Sequence, residues 1–150
     1  MVTLRGQISI PDGLNESDVF ADLNTLAATI PGLIDLAWQT EQNFRGRMKM
    51  KLPVGIVSSR ITGEVQHRGP QIAIRIKGTV ANVAGGFDAK VTLAGGSGGF
   101  VYELTVQFSG WLASLGEGLL TPIMAAQARQ FEKNFSEFLT AMHDEKRMNS

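Results

Sequence analysis

The sequence predicts an α+β domain in which a curved, seven-stranded antiparallel sheet is covered by one long C-terminal helix. Apolar and polar residues alternate in the first ten positions and again in runs between Leu33 and Ser109, the period-2 signature of strands with one buried face. The last third changes to helical spacing: Leu120, Met124, Ala128, Phe131, Phe135, Phe138 and Met142 fall on one stripe at about 100° per residue. At 150 residues the chain is long enough for one core, burying roughly 68–70% of its unfolded surface.

The first strand carries Val2, Leu4, Ile8 and Ile10 on one parity, and Pro11-Asp12-Gly13 stops it. From Asn15 the spacing of Val19, Phe20, Leu23 and Leu26 predicts two short helices or one broken one, ended by Pro31-Gly32. Six strands follow. Ile34, Leu36 and Trp38 share a face, then Phe44, Met48, Met50 and Leu52 alternate with Arg45, Arg47, Lys49 and Lys51. Val57, Ile61 and Val65 form the next inner row, then Ile72, Ile74 and Ile76, then Phe87, Ala89, Val91 and Leu93, then Tyr102, Leu104, Val106 and Phe108. The expected arrangement is an antiparallel meander with one wet face.

For the C-terminal third, either Thr121-Pro122 starts the helix or one long helix kinks there. Trp111, Leu112, Leu115, Leu119 and Ile123 lie on a second stripe that covers the tunnel mouth, contacts a second subunit or touches a membrane, a lid being the first choice. Four glycines, Gly6, Gly46, Gly63 and Gly78, fall on the apolar strand parity, where they either bend the sheet or leave open volume. A bulky residue at Gly63 is expected to fill any such volume.

Composition removes several classes of function. Fourteen basic and fourteen acidic residues give net charge 0, without the electrostatic footprint of a general nucleic-acid binder. No cysteine is present, and only His67 and His143 remain as imidazole ligands, so no metal site is expected. The N-terminus lacks the apolar core of a signal peptide, and the stretch from Gly95 to Leu115, broken by glycines and Glu103, is too short and polar to span a bilayer. The glycine-rich segments 81–86 and 95–99 match no phosphate-binding pattern and read as hairpin tips.

The order of strand, short helices, six strands and long helix resembles the helix-grip fold of the START-like (SRPBCC) polyketide cyclase and lipid-transport superfamily. Four segments narrow the resemblance to the CoxG family, the G subunit of the aerobic carbon monoxide dehydrogenase cluster. They are Leu26-Ala27-Ala28-Thr29-Ile30-Pro31-Gly32, Phe87-Asp88-Ala89-Lys90-Val91-Thr92-Leu93, Trp111-Leu112-Ala113-Ser114-Leu115-Gly116 and Ala128-Arg129-Gln130-Phe131. The resemblance covers about residues 2 to 142 and implies a single ligand-binding domain over 1–143, with 144–150 as a short polar tail. It also implies a cytoplasmic accessory protein, peripheral at the inner face of the membrane, that serves a molybdenum hydroxylase and has an apolar tunnel between sheet and helix. A lipophile such as a quinone would suit that tunnel. Some members carry a linker and a membrane-associating tail after the helix, whereas this sequence closes on Asp144-Glu145-Lys146-Arg147-Met148-Asn149-Ser150.

If the sheet cups a tunnel, its strand lining is Trp38, Phe44, Met48, Met50, Ile61, Ile74, Ile76, Phe87, Val91, Tyr102, Val106 and Phe108. Met124 faces it from the helix, and Trp111, Leu115 and Leu119 cover its mouth. This apolar and aromatic set suits a hydrophobic ligand, and part of it suits an ordinary filled core equally well. A catalytic reading has only Tyr102 and His67 as proton donors, with Ser59 as the other polar residue of inward parity. The rival functions are therefore a cyclase or dehydratase acting in the tunnel and a protein adaptor with a filled core. Outward, Arg45, Arg47, Lys49, Lys51, Arg60, Arg75 and Lys77 form a cationic stripe, either a solvated face or a dock for an anionic headgroup or partner enzyme. A homo-oligomer is compatible with the second apolar stripe.

Overall fold

The computed structural model describes residues 1–11, 29–53, 55–69, 71–80, 84–96 and 99–148. The strands are β1 (Val2–Ser9), β2 (Leu33–Trp38), β3 (Asn43–Leu52), β4 (Gly55–Arg68), β5 (Gln71–Val80), β6 (Gly85–Gly96) and β7 (Gly99–Ser109). Two helices follow, α1 (Gly110–Ser114) and α2 (Glu117–Met148). The helices expected before Pro31 fall on residues 12–28, outside the described ones.

All strands join one curved antiparallel sheet in the order β1-β7-β6-β5-β4-β3-β2. β2 to β7 form the expected meander, but β1 pairs with β7 through Gly6↔Tyr102 and its neighbours. The first two strands therefore lie at opposite edges, which corrects the simple meander. β6 and β7 pair as far as Gly96↔Gly99, so the glycine-rich stretch there is mostly strand.

β2 departs from its expected face. Its register against β3 shifts between Ile34 and Ala37, and Asp35 takes φ 53 there. Aspartate tolerates this left-handed conformation better than most residues. The irregularity turns Ile34 to solvent at 36% exposure and puts Leu33 with Leu36 and Trp38 against the core. A one-residue offset flips every side chain beyond it, which is why strict alternation misplaces Ile34.

Each of the four glycines of apolar parity, Gly6, Gly46, Gly63 and Gly78, is covered. Gly63 pairs with Phe44, Gly78 with Phe87 and Gly6 with Tyr102, in three different ladders. A Cβ at Gly63 would meet the Phe44 ring at 2.1 Å, one at Gly78 the Phe87 ring at 2.3 Å, and one at Gly6 the Tyr102 ring at 2.6 Å. At Gly46 the added atom would lie 3.0 Å from the Ile34 carbonyl, in the displaced backbone of β2. The missing side chains thus make beds for aromatic rings and one close strand, and a larger residue at Gly63 would strike Phe44 instead of filling open space.

α2 is one helix of 32 residues, about 48 Å at about 1.5 Å per residue. It begins at Glu117 with the exposed Pro122 inside it, so Thr121-Pro122 is not its start and one long helix runs through that point. Asp144 to Met148, expected as tail, continue the helix. Leu120, Met124, Ala128, Phe131, Phe135 and Leu139 are buried along its inner face. The second apolar stripe is divided between two elements, Trp111 and Leu112 in α1 and Leu119 and Ile123 in α2. Gly116, at φ 86, ends α1 in a left-handed turn whose N–H donates to the Ala113 carbonyl. That turn directs Leu112 into the core at 1% exposure, with Trp111, Leu115 and Ile123 half-buried around it.

Candidate functional site

The inner face of the sheet and the first half of α2 enclose an apolar cavity of about 80 Å³. Met48 and Met50 of β3, Ile76 of β5, and Phe87, Ala89 and Val91 of β6 form its floor. Tyr102, Leu104 and Val106 of β7 continue that floor. Met124, Gln127, Ala128 and Phe131 of α2 form the roof, and Ile30 and Pro31 close one side. Alternation accounts for the floor, since each strand contributes every second residue. Among the described residues, Gln127 and the Tyr102 hydroxyl are the only polar side-chain groups in this lining.

Half of the lining expected from sequence is gathered here: Met48, Met50, Ile76, Phe87, Val91, Tyr102, Val106 and Met124. The other half lies elsewhere. Phe44, Ile61 and Ile74 are in solid core at 1%, 2% and 0% exposure, and Trp38 tilts over Phe44 with ring centroids 5.2 Å apart. Phe108, Trp111, Leu115 and Leu119 are half-buried outside the described cavity lining, the first three packed against the core. Parity gives the face of a strand side chain and says nothing of its depth along the sheet. Ala128 and Phe131 belong to the helical stripe legible in the sequence, whereas Gln127 flanks it and carries no sequence signal.

Tyr102 is buried at 3% exposure, with its ring edge-on to Phe131 at 5.7 Å. Its hydroxyl donates a hydrogen bond to the Glu132 carboxylate. Burial chiefly, and this hydrogen bond next, push the phenol well above its ordinary value. Glu132 is missed by the sequence reading because it comes from the helix, while strand parity marks inward acids on strands alone. His67, the other proton-donor candidate, is exposed at the end of β4 and does not line the cavity; buried Ser59 does not line it either. Among the described residues no group of three or more His, Asp or Glu side chains is placed to hold a metal ion.

The Ile30–Pro31 wall is fastened on both sides. Asn134 Nδ2 of α2 donates to the Thr29 carbonyl at 2.9 Å, and the Lys49 amide of β3 donates to the Gly32 carbonyl at 3.0 Å. Asn134 Oδ1 accepts from Gln130 Nε2 at 2.8 Å, which fixes the amide's orientation.

A wider but open and polar hollow of about 310 Å³ lies by the β2–β3 turn, among Gln39, Asn43, Thr62, Glu64, Arg75 and Lys77. Its chief charges are already engaged: Arg75 donates twice to Asp88, at 2.9 and 3.2 Å, and Glu64 accepts from Gln66 Nε2 at 2.7 Å. The ion pair holds the Asp88 carboxyl below its usual range and raises the Arg75 guanidinium. The expected cationic stripe is exposed throughout. Arg47 lies 3.5 Å from Asp35, while among the described residues no carboxylate pairs with Arg45, Lys49, Lys51 or Arg60.

A curved antiparallel sheet gripping one long helix around an apolar cavity defines a helix-grip protein of the START-like kind. Solved structures share this fold. A conserved protein from Geobacillus kaustophilus matches with TM-score 0.67 and 12% identity over 93% of both chains. A protein from Thermus thermophilus matches with TM-score 0.64 and 15% identity over 93% of this chain and 97% of the other. The di-domain ARO/CYC protein BexL of the BE-7585A biosynthetic pathway matches with TM-score 0.58 and 14% identity over 90% of this chain and 48% of its own. The chain belongs to the CoxG family, the G subunit of carbon monoxide dehydrogenase, whose model matches residues 7–140. No curated protein matches the sequence significantly. No helix among the described residues is long and apolar enough to cross a membrane.

Proposed function

We propose that this CoxG-family chain holds a hydrophobic small molecule, of the quinone or lipid class, between sheet and helix, without acting on it chemically. In this reading it serves as an accessory factor to a molybdenum hydroxylase of the carbon monoxide dehydrogenase type and recruits that enzyme to the cytoplasmic membrane. The observation that carries the ligand reading is the apolar cavity, where among the described residues Gln127 is the one polar side chain not already hydrogen-bonded within the fold. Such a site suits an apolar body with a single polar group. Acid–base chemistry is poorly served, because the Tyr102 proton is held by burial and by Glu132.

The volume of about 80 Å³ is below the roughly 300–1,000 Å³ that encloses drug-sized ligands. Occupancy therefore requires Met48, Met50 and Met124 to move, which unbranched thioether chains do readily. Native mass spectrometry of gently extracted protein tests the ligand reading. A co-purifying lipophile, or uptake of an added quinone that Ala128→Phe blocks, is the expected result; neither one appearing would refute it. Capture of a molybdenum hydroxylase on the immobilised protein tests the partner.

A further inference from the structure

We propose that the outer face of β3 and β4, carrying Arg45, Arg47, Lys49, Lys51, Ile56 and Arg60, is the surface that docks on an anionic membrane. The ladder sets Arg45 opposite Thr62, Arg47 opposite Arg60, Lys49 opposite Ser58 and Lys51 opposite Ile56. Their shared parity puts all of them on the side away from the helix. Residues two apart on a strand are about 6.5 Å apart, so the cations of β3 form a row about 20 Å long. Arg47 and Arg60 are directly opposed like charges, an arrangement that weakens a sheet unless something outside it supplies the counter-charge.

Counter-charge is supplied elsewhere on this face and is scarce here. Arg75 is bound by Asp88 and Arg5 by Glu103, whereas Asp35, at 3.5 Å from Arg47, is the only carboxylate paired within the row among the described residues. Ile56 selects the partner. It is 72% exposed and lies beside Lys51 where β4 begins, an aliphatic side chain projecting among cations. A bilayer interface buries such a group at its apolar boundary and meets the surrounding ammonium and guanidinium groups with lipid phosphates. Each cation near an anionic leaflet is worth about fivefold in affinity. β3 also turns Met48 and Met50 to the cavity, so a bilayer bound this way lies one strand's thickness from the cavity floor.

This inference rests on the membrane part of the proposed function, and the test separates the two. The full chain is sedimented with vesicles of phosphatidylcholine alone and of phosphatidylcholine with phosphatidylglycerol. The expected result is binding only to the mixed vesicles, weakened about 25-fold by Lys49→Gln/Lys51→Gln, severalfold by Ile56→Ser, and by added salt. Arg5→Gln, a cation already paired, is expected to leave binding unchanged. All replaced side chains are exposed, and an unaltered unfolding curve verifies each fold. Binding that the β3–β4 variants leave intact overturns the assigned face while sparing membrane association. No binding to either vesicle overturns both. Unchanged vesicle affinity with lost capture of an acidic protein partner overturns the lipid assignment in favour of a protein dock.

Discussion

Phe135 and Met124 lie on the same face of α2, about three turns apart, yet their surroundings differ in kind. Around Phe135 the core is stiff. Phe135, Phe100 and Leu139 are at most 1% exposed, and Phe100 meets Phe135 edge-on at 5.7 Å, with the Phe131 and Phe138 rings at 5.8 and 6.1 Å. Around Met124 the neighbours are Met48, Met50, Phe87 and Val91, each 7–9% exposed and bordering the cavity. Branched and aromatic side chains with few rotamers clamp one end of the helix, while methionines leave the other adaptable. A site built this way can loosen locally without unfolding the sheet that carries it.

The contrast breaks most visibly if its stiff end is cut. Phe135→Ala is expected to cost about 3–5 kcal/mol in denaturant unfolding, and Met124→Ala about 2 kcal/mol, because a partly empty site loses fewer contacts. Equal costs would mean that the two ends are packed alike. Next, Gly63→Leu should cost about 1–3 kcal/mol, since Phe44 has nowhere to go, whereas Ala128→Leu, directed at the cavity, should cost less than about 1 kcal/mol.

Tyr102→Phe sharpens the comparison at the boundary between the two ends, and should cost about 1 kcal/mol at neutral pH. The native phenol titrates above its ordinary 10.0, so its share of stability is complete below pH 10 and is lost as pH rises beyond it. The phenylalanine variant should lack that alkaline loss. The smallest effect is expected outside both ends, at Asp88→Asn on the solvated face. Arg75 holds this carboxyl below 3.8, so its contribution is present above that pH and fades as pH falls through the native value. Exposure and salt screen the pair, and the change should sit near the resolution of an unfolding curve.

Much of this was legible in the sequence, because alternation and helical spacing report directly which side of an element is buried. The inner rows of β3 to β7 and the α2 stripe follow from it. What failed shares one cause: periodicity holds no information about interruptions or reach. The irregularity at Asp35 moved Ile34 outward, Gly116 split one apparent C-terminal pattern into two helices, and Glu132 arrived from another element. Within the cavity, aromatic content misled. Phe44 and Trp38 pack against each other at a tilt, while the small Ala89 and Ala128 line the space.

The glycines beneath the aromatic rings carry one more consequence, for the folding chain. A slip of two residues is the smallest error that keeps inner residues inside. Slipped so, Phe44 would face Ile61 or Val65, Phe87 would face Ile76 or Val80, and Tyr102 would face Leu4 or Ile8. Each ring would land on a bulky aliphatic side chain, and only the native alignment offers it bare backbone. Three notches, one in each of three strand pairings, thus favour the native alignment of the sheet over its nearest misalignments.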